Sequence, residues 1–158
     1  MFERVIKLFR DDEAATAERN QAQREALIDL LVWTMFADRH IATAETTQIH
    51  DAAEGLAWEG HKSIERFIDA ATRRARDVLG SDRTEAAYLD DIHARLADDE
   101  TRHRALVACD TLISADGDRA DAEVAFLTRI RARFDATDTA DAADAAKTTE
   151  TTDTKTAS

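Results

Sequence analysis

Two short acidic stretches contain the residues best suited to chemistry. The first, FADRHIATAE, covers residues 36–45, and the second, SADGDRADAE, covers residues 114–123. In each stretch an Asp follows an apolar run, and a Glu stands seven residues later. These four carboxylates are Asp38, Glu45, Asp116 and Glu123. Because hard cations such as Ca²⁺ and Mg²⁺ prefer oxygen ligands, both stretches are candidate metal sites.

The two stretches repeat one construction. At an offset of 78 residues, five of the nine positions from residue 37 to residue 45 are identical. Each Asp follows the end of a predicted helix, where free carbonyls point outward, and each Glu stands in the first turn of the next helix. A tight corner would bring these oxygens toward one point. Helix capping explains the same residue types, because an early Glu complements the helix dipole and Asp-Gly is an ordinary turn.

The second stretch differs from an EF-hand loop. If Asp116 is position 1, the glycine stands at position 2 rather than 6, and Leu127 replaces the Glu of position 12. Neither stretch contains thiolates or paired imidazoles, which argues against zinc and copper. The pattern therefore favours a shorter all-oxygen corner.

The doubled pattern of an apolar helix, Ala-Asp, a turn and a Glu resembles the TerB tellurite-resistance family. The likeness extends over roughly residues 21–134 and includes the opening MFERVIKLF. It is shared with the N-terminal domain of DjlA-type co-chaperones. The resemblance implies a compact bundle with an internal pseudo-repeat, acidic metal ligands and a role in tellurite or other chemical stress without enzymatic activity. Carried onto this sequence, the metal ligands are Asp38, Glu45, Asp116 and Glu123.

The sequence departs from the family pattern at two positions. Arg39 replaces the usual glycine of the first corner, and Arg119 stands where the family prefers an apolar residue. Arg119 would partly neutralise the second corner. Asp118 is a candidate accessory ligand, whereas Asp121 is the expected cap of the following helix.

The elements that must position these residues are predicted to be helices. Apolar residues recur every three or four positions and proline is absent, which indicates an all-α bundle of about six to seven helices. The expected helices cover about residues 2–9, 20–37, 43–58, 60–80, 82–97, 99–115 and 121–134. The second of these is apolar on nearly all sides, which predicts a central position. Residues 135–158 are rich in Ala, Thr and Asp, so a disordered tail is expected there.

The charge and cysteine content limit the function classes. A formal net charge of −12 over 158 residues repels DNA, RNA and anionic lipid, so no nucleic-acid partner is expected. The excess of Asp suits a high-salt cytoplasm or a GC-rich genome equally well. Cys109 is the one cysteine and stands in an apolar run, which predicts a core residue in a reducing compartment. With no long apolar span and no signal peptide, a cytoplasmic protein is expected.

Three other patterns have weaker support. Glu100 and His103 have the spacing of di-iron bundles, but that site needs two such motifs, and only Asp90 and His93 come near a second. The stripe on residues 2–9 could contact a membrane, although its short length favours docking onto the bundle. Several basic residues between 62 and 76 predict a solvated face paired with acidic side chains, with an anionic partner as the alternative. They are Lys62, Arg66, Arg73, Arg74 and Arg76.

Two functions follow from these features. The first is a non-enzymatic TerB-like stress-response protein that binds Ca²⁺ or Mg²⁺ through both corners. The second is a metal-independent interaction module resembling the DjlA N-terminal domain, which acts by docking other proteins or by forming a homo-oligomer. The absence of proline excludes a His-Pro-Asp motif within this sequence, which argues against a complete co-chaperone.

Overall fold

Six α-helices account for most of the residues that the computed structural model describes, which are 17–36, 43–56, 58–114 and 121–150. They are α1 (Ala17–Met35), α2 (Thr43–Glu54), α3 (Ile64–Val78), α4 (Asp82–Leu96), α5 (Asp99–Ser114) and α6 (Asp121–Glu150). No strand occurs among these residues, so the all-α prediction is confirmed for the described part. The expected helix at residues 2–9 lies outside it. None of the six helices has the length and apolarity needed to cross a bilayer.

The first helix forms the centre of the bundle. Every residue from 26 to 36 is buried, and α1 contacts each of the other five helices. The largest of its fully buried side chains belong to Leu27, Ile28, Leu31 and Trp33. An element that is apolar on all sides needs neighbours on all sides, which is why this sequence occupies the core. The predicted central position is confirmed.

The surrounding helices bury one stripe each. The inward residues of α3, α4 and α6 follow the three- and four-residue spacing of an amphipathic helix. They are Ile68, Ala71, Ala75, Leu89, Ile92, Leu96, Leu127, Ile130 and Phe134. The turn between α3 and α4 depends on Gly80, whose φ of +94° is costly for residues with a Cβ. Gly80 therefore ends α3 in the way that glycine commonly ends a helix.

A carboxylate is buried in the middle of α1. Asp29 is 1 % exposed, and its two oxygens accept hydrogen bonds from different helices. Arg74 of α3 lies 2.5 Å from Oδ1, and Arg95 of α4 lies 2.8 Å from Oδ2. Arg74, whose side chain is 42 % exposed, therefore pairs with an acidic side chain, as the sequence predicts for the basic residues of this segment. The three charged side chains join α1, α3 and α4.

Tyr88 places a hydroxyl beside this cluster without a hydrogen-bond partner in the described residues. Burial, followed by the nearby Asp29 charge, raises the pKa of Tyr88 above its ordinary value of 10.0. Tyr88→Phe is therefore expected to change stability at pH 7 by less than about 1 kcal/mol, because the contact of the hydroxyl with Asp29 falls outside normal hydrogen-bond geometry. The Tyr88 phenol therefore contributes stability at pH values below its pKa in the unfolded chain. That stability is lost as pH rises through the pKa of Tyr88 in the folded protein.

Urea unfolding at pH 7 and at about pH 10.5 tests this account. Between the two pH values, Tyr88→Phe should lose less stability than the wild type. Cys109 is present in both proteins, so the effect of its own ionisation cancels in the comparison. A loss of more than about 1 kcal/mol at pH 7 would mean that the hydroxyl makes a stabilising hydrogen bond after all.

The last helix is longer than composition predicts. It continues to Glu150, 16 residues beyond the expected helix end at Phe134, so that boundary is corrected. Alanine has the highest helix propensity, and the segment is rich in it. Residues 139–147 are exposed throughout, in keeping with the lack of large apolar side chains. The extension is helical without being part of the core.

One polar contact fastens the start of this extension. His93 of α4 is 1 % exposed, and its Nε2 lies 2.8 Å from Oδ1 of Asp138. The same oxygen accepts a hydrogen bond of 2.7 Å from Nη1 of Arg102 in α5. The His93 ring also stands edge-on to Phe134, with the ring centroids 5.1 Å apart. Asp138 thus ties α6 to both α4 and α5.

Asp138→Ala is expected to cost about 1–2 kcal/mol of stability, because it leaves the buried His93 nitrogen without its partner. Hydrogen exchange should become faster in residues 139–147. Asp141→Ala is the matched control, since it removes an exposed acid from the same helix. Equal exchange in the two variants would contradict an anchoring role for Asp138.

Candidate metal site at a shared helix end

Helices α1 and α5 run parallel. At one end Arg19 of α1 lies 3.5 Å from Asp98, just before α5, and Gln23 donates to the carbonyl of Leu96 at 3.5 Å. Near the other end Cys109 of α5 lies close enough to Thr34 of α1 for that side chain to affect the pKa of its thiol. The C-terminal ends of both helices therefore lie at the same end of the bundle. Segments 37–42 and 115–120, which contain the predicted acidic corners, begin there.

The start of α6 packs at this end too. Trp33 and Phe126 have ring centroids 5.7 Å apart, which joins the last turns of α1 to the second turn of α6. Phe36 and Phe126 both line a surface cavity of about 640 Å³. The helix that follows the second corner is thus packed beside the helix that precedes the first. We call this region the shared end.

The four predicted ligands reach the described structure only in part. Asp38 and Asp116 lie outside the described residues. Glu45 and Glu123 are each the third residue of a helix, α2 and α6, as the sequence predicts, but only their backbones are described. Contacts among the four carboxylates therefore stay a prediction. The same holds for Arg39, Arg119 and Asp118, which lie in the same two segments.

The sequence did not single out three charged residues that the structure places at the cavity. Asp82 and Glu85 come from the start of α4, and Arg129 comes from α6. Glu85 accepts a hydrogen bond of 3.1 Å from the Gly80 backbone, and the Arg129 guanidinium lies over the Phe126 ring at 5.3 Å. Gly80 signals a helix start at Asp82, but only packing of α4 against α6 puts these charges at the shared end.

Two described acids, Asp82 and Glu85, lie at the shared end. Their carboxylate oxygens are of the ligand type that Ca²⁺ and Mg²⁺ accept. Within the described ranges, no group of three or more His, Cys, Asp or Glu side chains is arranged to hold a metal. That statement does not include the side chains of Asp38, Glu45, Asp116 or Glu123.

Both di-iron-like motifs take part in ion pairs. Asp90 accepts a hydrogen bond of 2.7 Å from Arg133, which holds the pKa of Asp90 below its ordinary value. Its companion His93 is bonded to Asp138 as described above. Glu100 pairs with Arg104 one turn along α5, while His103 is exposed. These carboxylates therefore connect helices or stabilise a single helix.

Cys109 is a core residue, as predicted. Its side chain is fully buried, and burial raises the pKa of the Cys109 thiol to about 12. The thiolate required for nucleophilic attack is therefore strongly disfavoured at neutral pH. This residue contributes packing between α1 and α5.

Comparison with protein-family models, curated proteins and solved structures finds no match to this chain. The described structure defines the class as an all-α bundle with a buried central helix and two parallel helices that end together. The TerB resemblance rests on the sequence motifs and stays a prediction.

Proposed function

We propose that the protein is a non-enzymatic, TerB-like cation-binding protein of the chemical stress response. In this proposal Asp38, Glu45, Asp116 and Glu123 hold one Ca²⁺ or Mg²⁺ ion at the shared end. The observation that carries the proposal is the parallel packing of α1 and α5, because it starts both acidic segments from neighbouring helix ends. The link to tellurite and related stress comes from the family resemblance.

The distances available to the chain support a common site. Packed helices lie about 8–10 Å apart, and six residues of extended chain span at most about 20 Å. Segments 37–42 and 115–120 each follow one of two packed helices, and the proposal requires their Asp residues to meet within that span. Four carboxylates close together repel one another, and a divalent cation would offset that repulsion. Cation binding should therefore stabilise the folded state.

A bound cation would also affect the nearby cavity. Phe36 directly precedes the first segment, and Phe126 follows the second by six residues. A cation held by residues of both segments would link the two chain positions beside the cavity that these rings line. The proposed role is to stiffen a surface on which partner proteins dock.

Thermal unfolding with and without Ca²⁺ or Mg²⁺ tests the proposal. A cation at about 100 times its dissociation constant adds about 2.7 kcal/mol to the stability of the folded state. That corresponds to a rise in Tm of about 5–10 °C for a protein of this size. Asp38→Ala/Asp116→Ala should abolish the rise.

The matched control is Asp51→Ala/Asp77→Ala, which removes two exposed acids from α2 and α3. It should keep the full rise in Tm. NaCl at the same ionic strength separates cation binding from screening. If the wild type and Asp38→Ala/Asp116→Ala respond alike, the corners do not bind the cation.

A metal-independent interaction module is the second candidate, and the cavity at the shared end favours it. Its lining combines the apolar side chains of Phe36, Leu79 and Phe126 with three charged residues. A partner that inserts an apolar side chain would bury these surfaces. This function predicts partner binding that EDTA leaves unchanged and that Phe126→Ala weakens. Loss of partner binding in EDTA would contradict it.

A further inference from the structure

A basic stripe begins just before α3 and continues along that helix in an otherwise acidic protein. The stripe consists of Lys62, Arg66, Arg73 and Arg76. All four are exposed, and none has a carboxylate within 4.0 Å among the described residues. Glu65 and Asp69 are the acids within residues 62–76, and with these two set against the four exposed cations the stripe has a net charge of +2. The sequence predicts that these cations pair with the acidic remainder of the domain, and in the described structure only the neighbouring Arg74 does so.

The extension of α6 has the opposite character. Residues 135–147, which we call the acidic arm, contain four Asp and one Lys, for a net charge of −3. Beyond Asp138 its side chains are exposed on every side. A helix that is polar all round gains no stability from burial and commonly bridges to another unit. The arm is therefore a surface that a basic partner would complement.

The stripe and the arm belong to different sides of the bundle. Helix α3 packs against α1 and α4, whereas α6 packs against α1, α4 and α5. The arm continues a single 30-residue helix whose first half is fixed in the core. A rigid helix cannot fold back across the domain, so the complementary surfaces are available to another molecule.

We infer that the acidic arm of one copy docks on the basic stripe of a second copy. Arg66 to Arg76 extends about 15 Å along α3, and Asp135 to Asp144 extends about 14 Å along α6. The charged lengths are therefore similar, and the net charge of +2 on the stripe is complemented by −2 on the arm when Asp138, which already pairs with His93 and Arg102, is left out of the count. In a two-fold dimer the contact occurs twice, once for each arm. This inference does not depend on cation binding at the shared end.

Nucleic acid and anionic membranes are less suitable occupants of the stripe. They would also meet the remaining surface of a chain whose net charge is −12, and that surface repels polyanions. A second copy brings a short, local acidic segment instead. Exposed ion pairs are individually weak, so the dimer should form with a dissociation constant of about 0.1 mM at low salt.

Sedimentation equilibrium of the full chain in 50 mM and 500 mM NaCl tests the inference. The expected result is a concentration-dependent dimer at 50 mM that weakens at least about tenfold at 500 mM, where screening is stronger. Stripe reversal by Lys62→Glu/Arg66→Glu/Arg73→Glu and arm reversal by Asp135→Lys/Asp141→Lys/Asp144→Lys should each weaken self-association by about 100-fold. Circular dichroism checks that both variants are folded.

An equimolar mixture of the two variants is the decisive sample. Each changed residue alters the charge by two, so the net charge of −12 becomes −18 for stripe reversal and −6 for arm reversal. Both proteins remain negative, and general attraction cannot join them. In the mixed dimer the reversed arm of one variant meets the reversed stripe of the other, and the unchanged arm meets the unchanged stripe. The mixture should therefore dimerise at wild-type strength.

Arg83→Glu/Arg131→Glu is the matched control, because both arginines are exposed and lie off the stripe. It should dimerise like the wild type. A wild type that stays monomeric at 50 mM NaCl, or a mixture that fails to dimerise, would overturn the inference. So would a monomer that binds DNA or anionic vesicles through the stripe, since the occupant would then be a polyanion.

Discussion

Asp29→Ala is expected to lower the free energy of unfolding by about 3 kcal/mol, the largest effect of any charge substitution in the described bundle. The carboxylate is 1 % exposed and bridges Arg74 of α3 to Arg95 of α4. Its removal leaves two guanidinium groups next to a cavity. The Arg74 and Arg95 side chains are 42 % and 24 % exposed, so water can solvate them in part, and the cost falls at the lower end of the range for broken buried pairs.

Asp91→Ala provides the control for this prediction. Asp91 also pairs with Arg95, at 2.8 Å, but its side chain is 64 % exposed. Exposed pairs contribute about 0.5 kcal/mol or less, so this variant should unfold almost like the wild type. Urea denaturation of both variants at pH 7 gives the comparison. Equal losses in the two variants would show that burial of Asp29 does not set its importance.

Trp33→Ala is expected to cost about 4 kcal/mol, the range measured for removing large buried aromatic side chains. Trp33 is 1 % exposed and contacts the rings of Tyr88 and Phe126, at centroid distances of 5.4 Å and 5.7 Å. It thus holds the end of α1 against α4 and α6. Under the proposed function, cation affinity should fall as well, although Trp33 is not a ligand, because the start of α6 loses its support.

The second tryptophan gives a natural control. Trp58 is half-buried in the connection between α2 and α3, where its indole donates to the Lys62 carbonyl at 2.8 Å. Trp58→Ala should cost about 1–2 kcal/mol and leave cation affinity unchanged. Urea unfolding and calorimetry on the same samples measure both quantities. If a folded Trp33→Ala protein keeps its cation affinity, cation binding does not depend on the packing of the shared end.

Much of the helical layout follows from periodicity, because each described helix must bury a stripe of fixed spacing. The central position of α1 was predictable from an apolar run that leaves no polar face. The buried Asp29 is visible in the sequence as one acid inside ALIDLLVW, but its partners are 45 and 66 residues away. Local patterns do not identify such partners. For this reason the sequence does not distinguish Arg74 from the other basic residues between 62 and 76.

The end of α6 shows a second limit of prediction from sequence, because a helix forms where composition predicts none. Composition correctly indicates that residues 139–147 bury nothing, yet helix formation there does not require burial. Alanine propensity and the contact of Asp138 with His93 continue the helix. That contact joins residues 45 apart, so no window of sequence around Asp138 could predict it.

At the candidate site, the sequence supplies residue types and helix ends, and the structure adds their common location. Capping patterns locate Glu45 and Glu123 in the first turns of α2 and α6, and the described backbones agree. Asp82, Glu85 and Arg129 join the shared end only through packing between distant helices. Their sequence neighbourhoods resemble ordinary helix starts and exposed helix faces.

Isothermal titration of the wild type with Ca²⁺ or Mg²⁺, beside the single variants Asp38→Ala and Asp116→Ala, tests the central claim most directly. If both corners form one site, the wild type binds one cation per chain, and each single variant loses at least about tenfold in affinity for that cation. Two cations per chain, with each variant losing one and keeping the other, would contradict a shared site. Titrations that are identical for all three proteins would contradict metal binding by the corners altogether.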